Sequence, residues 1–226
     1  MHNRHIFAIA TALCIASGHA QPQVFTSRST ALEVLERSEA TLGNPLSEEH
    51  DEVKYVEVLK TACESEVLSE SDKMRYRLLL KEAQKNHVGT LAADIEYVTP
   101  DGSTHHLSES AAPLTLVYFN DPDCDACEKV VARLDTCATL KTMVLEKQLE
   151  IVGIYPLDDE QAWLQRPFPS YIINGWNKSQ EIDQEETYVL PTMPLFYLLD
   201  ADKRVVLKNE PSLNHVLDYL RNLSTK

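Results

Sequence analysis

The 226-residue sequence has no long apolar run after its first twenty residues, so nothing in that part is long enough to cross a bilayer as a helix. It is also short of positive charge, because 21 lysines and arginines stand against 35 aspartates and glutamates, for a formal net charge of -14. This acidic balance disfavours binding to nucleic acid or to anionic lipid. The sequence contains no internal repeat and no low-complexity tract, which argues against a repeat array.

The first twenty residues have the pattern of a cleavable signal peptide. A weakly basic start, Met1 to His5, precedes the apolar run Ile6 to Ala16, which is too short to span a membrane. Gly18 and Ala20 then supply the small residues typical of a cleavage site. We expect residues 1–20 to be removed, leaving a periplasmic or secreted protein with no transmembrane segment.

Two closely spaced cysteines follow the clearest strand signal in the sequence. Leu114 to Phe119 is a short apolar and β-branched run typical of a buried strand, and the turn residues 120–123 end it. A helix should begin at Cys124, with an apolar face made by Cys127, Val130, Val131 and Leu134. We therefore expect an exposed Cys124 at the helix N-terminus and a buried Cys127 one turn along. Thiol-disulfide exchange requires this kind of arrangement.

These residues resemble the active site of the thioredoxin superfamily, which is Cys-x-x-Cys at a strand-to-helix turn. Downstream, Pro191-Thr-Met-Pro194 and the two apolar runs after it look like the family's cis-proline loop and closing β-hairpin. The resemblance covers roughly the second half of the chain and is to secreted, TlpA-type members with a helical domain in front. It implies an α/β thioredoxin-like sandwich with a mixed sheet flanked by helices. It also implies that Met193 and Pro194 bind the substrate chain.

The part before the dithiol has a helical pattern, which predicts a small all-helical domain over residues 21–90 and a thioredoxin-like domain over residues 91–226. Three helices are expected there: Ala31 to Leu42, a second that starts at Ser47, and a third that Ser69 caps and that runs to about Asn86. This domain is interpreted as a structural appendage or as a docking or dimerisation surface, and the sequence leaves both open.

The thioredoxin-like part should alternate strands and helices around the dithiol. A hairpin turns at Pro100-Asp-Gly102, and a helical continuation from Leu140 to Leu149 leads to a second buried strand. Later elements are a helix containing Trp163, a short helix from Ile182 to Leu190 and a closing helix from Pro211 to Leu223.

The main hypothesis is an exported thiol-disulfide oxidoreductase. Cys124 would attack a substrate disulfide and Cys127 would resolve the mixed disulfide, with no cofactor. Its partners would be protein disulfides and an unidentified thiol electron donor. Four acidic residues crowd the dithiol: Asp121, Asp123, Asp125 and Glu128. Their negative charge opposes thiolate formation, and an unstabilised thiolate favours a disulfide reductase.

The sequence departs from the common family pattern in ways that affect its chemistry. Asp123 precedes the first cysteine where the family often has Trp, and Asp125 follows it. The family also often keeps a buried carboxylate beneath the second cysteine as a proton acceptor. The strand Leu114 to Phe119 contains no acid, which leaves Glu150 as a guess for that role.

Two other functions stay open. The chain could be a non-catalytic thioredoxin-fold binding module in which Cys124 and Cys127 form a structural disulfide. It could also capture a metal ion with a third ligand, although no second cysteine pair follows, and we predict no metal site. His105 and His106 are adjacent strand residues on opposite faces, which makes them poor joint ligands. Cys137 is predicted to be a core thiol or the partner of Cys63.

Overall fold

The computed structural model describes residues 25–165 and 168–223. The predicted signal peptide, residues 1–20, lies outside the described residues. Within them, no helix combines the length and the apolar character that crossing a membrane would require.

The N-terminal region consists of three helices, α1 (Arg28–Ala40), α2 (Glu52–Glu64) and α3 (Glu70–Ala83). Each begins after a side chain that accepts a hydrogen bond from a backbone N–H of the first turn: Ser27, Asp51 and Ser69. Their apolar faces pack into a cluster of their own. Three helices are predicted for this region, and the described part of it, from residue 25 on, contains three.

Two of these helices begin elsewhere than predicted. α1 starts before Ala31 because the Ser27 side chain accepts a hydrogen bond from the Thr30 backbone N–H at 3.2 Å. Residues 47–50 form turns instead of opening α2, because Asp51 provides the cap at 3.0 Å from the Lys54 nitrogen. At both places the sequence contains more than one preferred N-cap residue within a few positions, and the sequence pattern alone does not show which of these residues caps the helix.

Seven strands follow: β1 (Glu96–Val98), β2 (Thr104–His106), β3 (Leu114–Phe119), β4 (Leu149–Tyr155), β5 (Ile173–Trp176), β6 (Leu195–Leu199) and β7 (Val205–Glu210). They form one sheet in the order β2-β1-β5-β4-β3-β6-β7. β3 is parallel to β4 and antiparallel to β6, so the sheet is mixed as expected. The β1–β2 hairpin turns at Gly102, whose φ of +85° suits glycine.

Five helices accompany the sheet: α4 (Asp125–Thr136), α5 (Ala138–Leu145), α6 (Glu160–Gln165), α7 (Glu181–Gln184) and α8 (Leu213–Leu223). Apolar residues of α4, α5 and α8 pack on the sheet face that carries Leu116 and Tyr118. The alternate residues Val117 and Phe119 belong to the core on the other face, which α7 and the segment before β3 cover. β3 is buried on both faces, as its continuous apolar run predicts.

Two helical predictions in this part are wrong in extent. The expected helix from Ile182 to Leu190 is a single turn that ends at Gln184, and Glu186 has a φ of +49° that no helix continues through. The expected continuation to Leu149 ends at Leu145, because Leu149 joins β4 opposite Leu114. Apolar spacing suits both a helix and a packed loop at these places.

A buried ion pair attaches the helical region to the sheet. The Lys208 ammonium on β7 contacts the Glu52 carboxylate at the start of α2 and donates a hydrogen bond to the Ala83 carbonyl at 2.9 Å. Their side chains are only 2% and 11% exposed. Burial raises the pKa of Glu52 and lowers the pKa of Lys208, so each charge depends on the other.

We therefore expect Lys208→Met to lower the free energy of unfolding by about 3 to 5 kcal/mol at neutral pH, because Glu52 would be left as an unpaired buried charge. The loss should shrink as pH falls, since the raised pKa of Glu52 lets this carboxyl become neutral early. Urea unfolding at several pH values measures both effects.

Arg77→Met, which breaks an exposed pair with Glu70, is the matched control and should cost much less. Adding Glu52→Gln to Lys208→Met should recover part of the loss. Equal costs for the Lys208 and Arg77 variants would contradict this account of the attachment.

Candidate active site

The dithiol lies where β3 passes into α4. Cys124 is the N-cap of α4, and its sulfur accepts a hydrogen bond from the Cys127 backbone N–H at 3.3 Å. Cys124 is half-buried, whereas Cys127 is 1% exposed. The sulfur that can meet a substrate therefore stands at the positive end of a three-turn helix, and the second sulfur lies beneath it.

The first turn of α4 is fixed to the strand below it. The Tyr118 hydroxyl donates a hydrogen bond to the Cys127 carbonyl at 3.1 Å. Asn120 is buried, and its side-chain amide donates to the carbonyls of Tyr118 and Ile154 at 3.3 and 3.0 Å. The sequence analysis missed both residues. Tyr118 is the one aromatic side chain of that run with a hydroxyl group, and a buried tyrosine hydroxyl needs a hydrogen-bond partner, which is a signal that could have found it.

Cys127 is held as a neutral thiol. Burial, followed by its hydrogen bond and charge interaction with Cys124, raises the pKa of Cys127 to about 12. At neutral pH this thiol keeps its proton, so Cys124 is the sulfur able to start a reaction.

The loop that the sequence identified lies opposite the dithiol. The peptide bond between Met193 and Pro194 is cis. The Cys124 thiol donates a hydrogen bond to the Met193 carbonyl at 3.5 Å. The structure thus brings together all four residues singled out for the site: Cys124, Cys127, Met193 and Pro194.

A cavity of about 450 Å³ opens beside this loop, and sequence reasoning did not foresee it. Met193 lines its near side, and α7, the irregular segment after it and the residues after β4 line most of the rest. Glu82 and Lys85, at the end of α3 and just beyond it, form part of the wall. The helical region and the active-site loop therefore line the same cavity.

Acidic side chains surround this end of the sheet. Tyr155 ends β4, and burial followed by the charges of nearby carboxylates raises the pKa of Tyr155 to about 12. Those carboxylates belong to Asp121, Asp159, Asp123 and Asp158. The negative field next to the dithiol therefore extends to the residues that follow β4.

Glu150 does not take the role of a buried proton acceptor. Its strand register pairs it with Thr115, whereas the dithiol follows Phe119, about 13 Å further along the strand. The guess was wrong because register was not known from the sequence.

Cys63 and Cys137 are not paired. Both are free thiols, and they pack in separate clusters, Cys63 among the N-terminal helices and Cys137 beneath the sheet. Among the described residues, no group of three or more potential ligands is arranged to hold a metal ion. His105 stacks on Tyr97 at 5.6 Å, while His106 lies 3.2 Å from an Asp94 oxygen.

No protein-family model matches this sequence, and no curated protein matches it. Solved structures do match. A thioredoxin-like protein from Bacteroides caccae superposes with a TM-score of 0.81 at 29% identity, over 86% of this chain and 71% of that one. A conserved protein of unknown function from Bacteroides fragilis superposes with a TM-score of 0.56 at 34% identity, over 59% of this chain and 98% of that one. The C-terminal domain of an uncharacterized Bacteroides fragilis protein superposes with a TM-score of 0.58 at 31% identity, over 61% of this chain and 99% of that one. These similarities and the mixed sheet confirm the predicted fold class, which is thioredoxin-like.

The different burial of the two sulfurs predicts different reactivity towards iodoacetamide. In the reduced Cys127→Ser variant, Cys124 should be alkylated at least about tenfold faster at neutral pH than Cys127 is in the Cys124→Ser variant, because only thiolate reacts and burial keeps Cys127 protonated. The Cys127 rate should keep rising with pH well above the value near 8.5 that is usual for a free thiol.

Peptide mapping by mass spectrometry separates these sites from Cys63 and Cys137. The same measurement in denaturant is the control, where both cysteines should react alike. Equal rates in the folded variants would contradict the assignment of Cys124 as the attacking sulfur.

Proposed function

We propose that this thioredoxin-like protein is a thiol-disulfide oxidoreductase that acts through Cys124 and Cys127. The observation that carries the proposal is the placement of the two sulfurs. Cys124 is accessible at the N-terminus of α4 and faces the Met193 carbonyl at 3.5 Å, while Cys127 is a buried neutral thiol one turn along. An attacking sulfur and a resolving sulfur need this difference in exposure.

The reaction begins when the Cys124 thiolate attacks one sulfur of a substrate disulfide. A bond forms between that sulfur and Cys124, the substrate S–S bond breaks, and the released substrate thiolate takes up a proton. Cys127 then attacks the Cys124 sulfur, and its proton passes to the leaving substrate sulfur, which frees the second substrate thiol. Two electrons and two protons have passed to the substrate, and the protein holds a Cys124–Cys127 disulfide.

Met193 and Pro194 support the substrate in this scheme. The Met193 carbonyl lies beside Cys124, so the loop can accept a hydrogen bond from an extended substrate chain once its contact with the Cys124 thiol is released. A second thiol, from an electron donor, is needed to reduce the Cys124–Cys127 disulfide after each turnover.

The direction we propose is reduction of substrate disulfides. The support for this direction is the negative charge around the dithiol, which Asp121, Asp123, Asp125 and Glu128 supply. A reduced enzyme whose thiolate is little stabilised passes its electrons on more readily, which makes it a reductant.

We place this activity outside the cytoplasm, in the periplasm or in secreted form, on the support of the signal-peptide pattern in residues 1–20. Disulfides persist in such compartments, which gives a reductase its substrates there.

Trapping a mixed disulfide tests the proposed function. Reduced Cys127→Ser protein, mixed with an aromatic disulfide that releases a coloured thiolate, should retain one aromatic group on Cys124, because no second sulfur can displace it. The wild-type protein should release two coloured thiolates, and Cys124→Ser should release almost none at this site. Absorbance and peptide mapping give the two counts.

Cys137→Ser is the matched control, since it removes a sulfur from the core beneath the sheet and should behave as wild type. If the Cys124→Ser, Cys127→Ser double variant kept full disulfide reductase activity, the dithiol would have no catalytic role. The binding-module alternative would then be preferred.

A further inference from the structure

The cavity beside Met193 has an apolar floor. Ile182 and Tyr188 are buried at 3% and 4% exposure, and Leu190 packs against the same core. The Tyr188 hydroxyl does not serve the cavity as a polar group, because it donates a hydrogen bond to the Ala93 carbonyl at 2.6 Å. The volume of the cavity, about 450 Å³, lies in the range of sites that enclose small organic groups. The aliphatic part of a side chain from another molecule can therefore pack on this floor.

The rim of the cavity is strongly acidic. Four carboxylates stand there, on Glu82, Asp158, Asp183 and Glu186. Among the described residues that line the cavity, Lys85 is the one cation, and Glu186 already holds it at 2.9 Å. Among the ion pairs of the described residues none involves Glu82, Asp158 or Asp183, so three negative charges face the opening without a cationic partner.

We propose that this cavity is the specificity site of the proposed oxidoreductase and that it takes a lysine or arginine side chain flanking the cysteine of a protein substrate. Such a side chain lays its aliphatic stem on the apolar floor and places its charge among the rim carboxylates. The inference rests on the proposed function, and it adds the class of substrate to it.

The position of the cavity agrees with this role. Met193 lines the cavity, and its carbonyl accepts the hydrogen bond from Cys124, so a chain bound across the loop has its cysteine on one side of Met193 and a neighbouring residue on the other. Asp121 beside the dithiol and Asp158 at the cavity both lie close enough to Tyr155 to raise its pKa. A cationic segment is therefore attracted at the cavity and at the dithiol.

Two peptides closed by a disulfide test the inference. They are identical except that the residue beside one cysteine is Lys in one and Glu in the other. We expect reduced protein to react about tenfold faster with the Lys peptide at low ionic strength, and we expect the difference to shrink when salt screens the charges. Thiol trapping followed by mass spectrometry gives the rates.

Asp158→Asn combined with Asp183→Asn should reduce this Lys-to-Glu rate ratio to about threefold or less, because two of the unpaired rim charges are gone. The matched control, Glu146→Gln combined with Asp202→Asn, changes the net charge equally at the opposite end of the sheet and should keep the ratio. Both pairs are exposed, so neither should disturb folding.

A neutral disulfide of mercaptoethanol separates the two proposals. If the reduced protein reacts with it but treats the two peptides alike, or if both double variants change the ratio equally, the cavity inference is overturned and the oxidoreductase stands. If the protein reacts with no disulfide, the proposed function fails, and the inference that rests on it fails with it.

Discussion

The burial of β3 between β4 and β6 is the constraint on which the site depends. Both neighbours pair with β3 along its length, and both faces of it are covered, so its last residue has a fixed position. Asn120 ties that end to β4, and Tyr118 ties the first turn of α4 to the strand. The two sulfurs are consequently placed by the core of the protein, and exchange chemistry needs such fixed geometry.

Charge and burial then divide the work between the two sulfurs. Cys127 is neutral because it is buried, and Cys124 is accessible and has acidic residues around it. The same acidic surrounding continues into the cavity beside Met193. One electrostatic feature thus accounts for both the proposed direction of electron transfer and the proposed preference for cationic substrates.

Local signals determined what could be predicted. β3, α4 and the closing hairpin are predicted by short, strong sequence patterns. The position of the two cysteines at the N-terminus of α4 then follows from the predicted strand and helix. The sequence predicts one short helix from Ile182 to Leu190, whereas α7 ends at Gln184 and Tyr188 and Leu190 line the cavity from the irregular loop after it. The ion pair of Lys208 and Glu52 joins distant parts of the chain, and the distance of Glu150 from the dithiol depends on the register of β4 against β3. Local residue spacing shows neither the ion pair nor the register.

The reduction potential of the Cys124/Cys127 pair tests the central claim most directly. Equilibrating the purified protein in dithiothreitol buffers and trapping the free thiols gives the value, with Cys63 and Cys137 counted separately. Our account predicts a potential at or below that of thioredoxin, about -270 mV. A value near -120 mV, as for a strong oxidant, or a pair that never cycles between its two states, would contradict it.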